Sequence, residues 1–204
     1  MAVDEDDELP DWWEPLDAGE RQRAGRFRQA ADRRLFLAAH WLTRRLLADY
    51  TGEPAAEIRI LSATDGKPRL ASHPTVSFSL THTRGLVACG VAEEAEIGID
   101  AEILDCQIQF DAVARSFFAP AEAEAIERAE GETRIELFYR LWTLKEAVVK
   151  ADGRGQSIDA IAFDLTPPVP RLLASGGAIW SLAELQPTPD HRLAVALRHR
   201  HRQR

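Results

Sequence analysis

The sequence predicts an α+β protein made of two similar halves, each a long helix packed on a small, mostly antiparallel sheet. Three observations carry this. Helical periodicity followed by short β-like runs occurs twice along the chain. Gly, Pro and Asp turn signals separate the runs. With 204 residues, 45% of them apolar, the chain is long enough to bury a sizeable core, and 28% charged residues is the composition of a folded protein.

Residues 1–20 form an acidic lead interrupted by Pro, holding nine Asp and Glu and no Lys or Arg. Trp12 and Trp13 give it a means of docking on the body, so partial order is expected. From Arg21 the pattern changes. Phe27, Leu35, Leu37, Ala38, Trp41, Leu42, Leu46 and Leu47 recur at helical spacing to Asp49, and Gly52 and Pro54 stop the helix. Four β-like runs follow at 58–61, 76–80, 86–91 and 97–99, divided by Asp65-Gly66, His73-Pro74 and Arg84-Gly85. The first half is expected to span 21–103.

The second half, 104–197, starts with helical signal near Phe110 that breaks at Pro120 and resumes over 121–128. A long helix over 133–151 has Leu137, Phe138, Leu141, Trp142, Leu144, Val148 and Val149 as its apolar face, stopped by Asp152-Gly153-Arg154-Gly155. β-like runs at 161–165, 178–182 and 193–197 complete the half, with a Pro-rich turn at 167–170. A basic tail, 198–204, is expected to fray.

Charge and cysteine content exclude several functions. Beyond the lead the chain carries 24 acidic and 25 basic residues, which leaves no electrostatic case for a nucleic-acid partner. The two cysteines, Cys89 and Cys106, lack the spacing of a zinc or redox motif and suit a reducing compartment. No leader-like apolar stretch and no run of 18 apolar residues is present, so a cytoplasmic protein without a membrane partner is expected. Of 25 basic residues only three are Lys, at 67, 145 and 150, and all three fall in segments able to carry chemistry.

In Ile97-Gly98-Ile99-Asp100-Ala101-Glu102 two carboxylates stand two apart, and the strand period points both to one side, where they can share a hard cation such as magnesium. An acidic pair at a strand end is equally read as solvated surface. Glu146 and Lys150 lie one turn apart on the long helix, either as a surface ion pair or as a third carboxylate beside a phosphate-neutralising cation. Asp65-Gly66-Lys67-Pro68 is a turn bearing a Lys. Phe78-Ser79-Leu80-Thr81-His82-Thr83 runs a strand into hydroxyls and an imidazole, groups that hold phosphate.

Taken together, G-K-P, F-S-L-T-H-T, G-I-D-A-E and W-T-L-K-E-A-V-V-K resemble, in this order, the 4′-phosphopantetheinyl transferases of the large monomeric, surfactin-synthetase-activating type, over roughly residues 16–165. Two fused halves do in one such chain what subunit contacts do in the small trimeric synthases. The resemblance implies transfer of the phosphopantetheine arm of coenzyme A to a serine of an apo acyl or peptidyl carrier protein, releasing adenosine 3′,5′-bisphosphate, by a monomer in polyketide or nonribosomal peptide biosynthesis.

It further implies that Asp100, Glu102 and Glu146 hold Mg2+, with Mn2+ as an alternative. Glu146 is the base, and Lys150 neutralises or protonates the departing phosphate. Lys67 and Pro68 flank the adenine, while Arg23, Thr81 and His82 bind phosphates, with Asp100 and Lys150 also at the coenzyme. Glu122 matches a further acidic position that assists or simply caps its helix. The family often has Ser where Thr81 and Thr83 stand, and an arginine where this chain has Leu35, next to Arg33 and Arg34. Two other classes fit parts of the pattern: a non-catalytic carrier-protein or coenzyme A binding module, and a magnesium-dependent phosphodiesterase.

Overall fold

The computed structural model of the chain describes residues 1–3, 11–62, 66–153, 157–164, 170–173 and 177–200. Asp65 of the expected turn, Arg154 and Gly155 of the expected helix stop, residues 167–169 of the Pro-rich turn and tail residues 201–204 lie outside the described residues. Of the acidic lead, residues 4–10 do too.

The expected first helix is two. Asp17 caps α1 (Ala18–Ala24) by accepting from Glu20 N at 2.8 Å, and the Glu20 carboxylate accepts from Asp17 N at 2.9 Å, a reciprocal capping box. Gly25 ends α1, and the long apolar-striped helix α2 (Ala30–Thr51) follows, closed by Gly52 at φ +76°. Val3, Trp12 and Leu16 are buried with Phe36, Leu37 and Ala38 of α2, and the Arg34 guanidinium lies 5.5 Å from the Trp12 ring. The lead is docked at these points.

Strands β1 (Ile60–Ser62) and β2 (Pro68–Leu70) pair antiparallel, and β3 (Val76–Thr83) and β4 (Leu86–Glu93) form a hairpin through Gly85 at φ +79°. After β5 (Ala95–Ile103) come α3 (Phe110–Phe117), α4 (Pro120–Arg128) and α5 (Gly131–Asp152). A 3-10 turn (Ile158–Ala160), the short pair β6 (Phe163–Asp164) and β7 (Arg171–Leu172), and the hairpin β8 (Trp180–Leu185) and β9 (His191–His199) complete the fold. The architecture is α+β: α2 packs on β3 and β4, and α5 packs on the antiparallel sheet β5-β9-β8.

β5 pairs along its whole length with β9, from Ala95↔His199 to Ile103↔His191, so it lies in the same sheet as β8 and β9. β5 is also longer than the expected 97–99. Gly98, Asp100 and Glu102 weaken a strand signal in sequence, but pairing with β9 and burial beneath α5 hold the extended backbone.

The two sheets meet through side chains. Along β3 apolar residues alternate with hydroxyls: Val76, Phe78 and Leu80 pack toward α2, while Ser77, Ser79 and Thr81 face the other way. Their Oγ atoms accept the N–H groups of Ile97, Ile99 and Ala101 at 3.2, 3.1 and 3.2 Å. A constant offset of 20 residues sets β3 and β5 side by side and parallel, joined by a ladder of side-chain acceptors in place of carbonyls.

α5 approaches β5 where neither has bulk. A Cβ placed on Gly98 would stand 2.0 Å from Ala147 O and 2.4 Å from Ala151 N. Gly98→Ala is therefore expected to lower stability by ~3 kcal/mol or more, at the top of the overpacking range, because backbone must move. A shift of the urea midpoint at unchanged slope measures it; an unshifted midpoint would mean that the close approach is not maintained.

Candidate active site

Even-numbered residues of β5 face α5, as Gly98 shows, so Asp100 and Glu102 are carried under the helix. α5 contributes Trp142, Glu146 and Lys150 at one-turn intervals along one edge. Lys150 Nζ lies 2.6 Å from Asp100 Oδ1, and the Thr81 hydroxyl donates to the same oxygen at 3.4 Å. Asp100 Oδ2 is buried with no hydrogen-bond partner among the described residues.

Burial raises all three carboxyls, and the Asp100 charge adds to this at Glu102 and Glu146. Burial, then the Asp100 charge, then Glu146, push Glu102 up to about 7, against a hydrogen bond from Trp142 and the pull of Lys150. Burial and Asp100 raise Glu146 in the same way, with Lys150 opposing. Asp100 is raised by burial despite Lys150 and Thr81. Asp100, Glu102 and Glu146 carry oxygen donors of the kind a hard divalent cation takes. Among the described residues, however, no group of three or more His, Cys, Asp or Glu side chains is arranged to hold a metal ion, and Lys150 is bonded to Asp100 Oδ1.

Beside this cluster a cleft of about 350 Å³ opens between the two halves, lined by Lys67 and Pro68 of the β1–β2 region, Phe78 and Leu80 of β3, and Val149 and Lys150 of α5. Its wall is apolar with a cation at one end. His82 stands at the end of β3, exposed. Local desolvation and the charges of Lys150, His40 and Arg23 push its imidazole below the usual value, so it sits in a positive field. Arg23, exposed on α1, lies 5.4 Å from the Phe36 ring.

Some expected residues are engaged elsewhere. The Lys67 stem lines the cleft, but its buried ammonium donates to Ile97 O at 3.0 Å and Ala151 O at 3.2 Å and pairs with Glu96 at 3.0 Å. Its charge joins β5 to the end of α5. Thr81 is 5% exposed, and its hydroxyl serves the seam and Asp100. Glu122, 6% exposed, accepts from Phe163 N and Ala119 N at 2.8 and 2.9 Å and pairs with Lys145 at 2.8 Å. Lys145 is fully buried, donates to Ile161 O and lies 5.3 Å from the Phe118 ring. Glu122 therefore holds α4, α5 and the β6 region together. Arg34 lies against the Trp12 ring.

Sequence reading passed over Trp142 as a partner of Glu102, and Ser77 and Ser79 as seam residues. The alternating hydroxyls of V-S-F-S-L-T were the available signal for the latter. Nothing in the sequence places the Trp142 indole beside Glu102.

Comparison with known proteins covers nearly the whole chain. Residues 5–94 match the family described as 4′-phosphopantetheinyl transferase, N-terminal, and residues 96–196 match the 4′-phosphopantetheinyl transferase superfamily. The two matches meet where β5 begins. The chain is 34% identical to the 4′-phosphopantetheinyl transferase HetI of a Nostoc strain, over 93% of this chain and 81% of that one. It is 29% identical to the human L-aminoadipate-semialdehyde dehydrogenase-phosphopantetheinyl transferase, over 88% of this chain and 66% of that one. A solved holo-(acyl-carrier-protein) synthase from Bacillus anthracis superposes with a TM-score of 0.46 at 22% identity, over 50% of this chain and 94% of that one.

Two outcomes are expected from the site's electrostatics. Glu122→Gln strands the Lys145 charge and should cost about 3–5 kcal/mol in chemical unfolding; a change under about 1 kcal/mol would show that the pair is not buried as described. A carboxyl raised in the folded state binds more protons there than when unfolded. Without divalent cations, the stabilisation from protonated Glu102 is complete below its unfolded value and is lost as pH rises toward and through about 7. Glu102→Gln should flatten that part of the stability–pH curve, and superimposable curves would contradict the shift.

Proposed function

Since the chain belongs to the 4′-phosphopantetheinyl transferase family, we propose that it moves the 4′-phosphopantetheine arm of coenzyme A to a serine hydroxyl of an apo acyl or peptidyl carrier protein. The observation that carries this reading is the meeting of one carboxylate cluster, one lysine and one apolar cleft at the boundary of the two halves. The cleft suits an adenine ring, with Pro68 and the Lys67 stem as its wall. Arg23 brings positive charge to the 3′-phosphate at the surface end, and His82 stands beside it as an imidazole in the field of its cationic neighbours.

The chemistry needs charge neutralised at a diphosphate and a proton removed from serine. The serine oxygen forms a bond to the phosphorus on the pantetheine side while the bond to the leaving adenosine 3′,5′-bisphosphate breaks. Glu146, already raised by burial and by Asp100, takes the serine proton. Lys150, poised at Asp100, neutralises the leaving phosphate. Asp100, Glu102 and Glu146 would hold Mg2+, whose chemistry when bound is to draw charge off the diphosphate oxygens. Trp142 steadies Glu102 from the helix. The large surfactin-activating subtype, a monomeric state and service to peptide or polyketide synthases belong to the same proposal.

Incorporation of a labelled pantetheine arm into apo carrier proteins, with coenzyme A and magnesium, tests it. Glu146→Gln is expected to lower the rate at least ~100-fold with the unfolding midpoint retained. Chelation should abolish transfer, and added Mg2+ should restore it. Binding of coenzyme A without transfer to any carrier would favour a binding module, and hydrolysis of the diphosphate without carrier would favour a phosphodiesterase.

A further inference from the structure

His40 lies one turn beyond Phe36 on α2, and its imidazole packs on that ring at a centroid distance of 4.1 Å. Its Nδ1 is 2.8 Å from Glu20 Oε1. That carboxylate is locked: Oε2 accepts from Arg44 Nε at 2.6 Å and from Asp17 N at 2.9 Å. Arg44 is itself fully buried and donates to the carbonyls of Ala55 and Ile58, both at 3.0 Å. A fixed acceptor at Nδ1 makes that nitrogen the donor and sets the ring plane. Nε2 has no partner among the described residues.

Where that free edge stands follows from the strand opposite. Val76, Phe78 and Leu80 of β3 pack against α2, and His82 is the next residue on that face. Val87, which pairs with His82 across the hairpin, is buried in the same cluster as Phe36. Arg23 reaches the Phe36 ring from α1 at 5.4 Å. Arg23 and His40 thus lie against one aromatic ring, and His82 is close enough to feel both of their charges.

The geometry points to His40, held by Glu20, as a third contact for the 3′-phosphate of the coenzyme, beside Arg23 and His82. This rests on coenzyme A being the substrate. A phosphomonoester presents three strong acceptor oxygens, and with Nδ1 engaged by Glu20 the Nε2 edge of His40 is left to meet one of them as an N–H donor. Packing on Phe36 and the bond to Glu20 restrict the ring before ligand arrives, so little entropy is lost on binding.

Calorimetric titration of coenzyme A and of 3′-dephospho-coenzyme A against the full chain, His40→Gln and His40→Arg decides it. The ratio of the two affinities within one protein sample is the readout, because it is insensitive to any misfolded fraction. His40→Gln, which can still donate to Glu20 but lacks the Nε2 edge, should weaken coenzyme A about tenfold and leave the dephospho ligand unchanged. His40→Arg should keep the wild-type ratio. An unaltered ratio in His40→Gln, or a ratio lost equally in both variants, overturns the role of His40 while leaving the transferase reading intact. Failure of the wild-type chain to bind either ligand overturns both.

Discussion

The rest of the structure depends on how two small sheets are joined without a continuous backbone ladder. β5 spends one edge on β9, and its remaining N–H groups at Ile97, Ile99 and Ala101 are buried and need acceptors. Ser77, Ser79 and Thr81 provide them at the strand period of two. Because hydroxyls reach only one bond from Cβ, the two strands must stay close and in one register. The cleft, open to both halves, is a consequence of that join: its walls come from β3 on one side and α5 on the other. Gly98 sets the second dimension by letting α5 settle against β5.

The three lysines divide their work. Lys67 and Lys145 are interior braces whose ammonium groups satisfy main-chain carbonyls and one carboxylate each, partly buried at Glu96 and buried at Glu122. A compact ammonium with three donors suits such cages, where the planar fork of arginine would not fit. Lys67 ties Ile97 to Ala151 and so fixes the end of α5 on which Lys150 stands. Only Lys150, about one-third exposed, faces the candidate chemistry. Glu96 extends the brace, held at about 2 by Lys67, Arg200 and Arg69 against its burial.

The candidate site is polarised along the boundary. At one end three carboxyls are raised by burial, and Glu102 and Glu146 also by the Asp100 charge. At the other, Arg23 and His40 lie against one aromatic ring within reach of His82, and Lys150 lies between. A ligand carrying separated phosphates with a flat base between its charged groups matches that order of features better than a uniformly anionic polymer does.

The sequence by itself determined the element types, because they rest on local periodicity and capping: the two long helices, the β3–β4 hairpin and the Pro120 break are all written in spacing and turn chemistry. The spacing of Asp100 and Glu102 and of Glu146 and Lys150 also fixed which side chains share a face. Tertiary structure alone decided which motif residues reach the site. Lys67, Thr81, Lys145 and Glu122 look like chemistry in sequence and are engaged as structure, since a buried charge or hydroxyl must find partners and those partners lie 16–84 residues away. The assignment of β5 to the second sheet, and of His40 to the positive end, were equally non-local, for each is set by packing between segments that no spacing within either segment encodes.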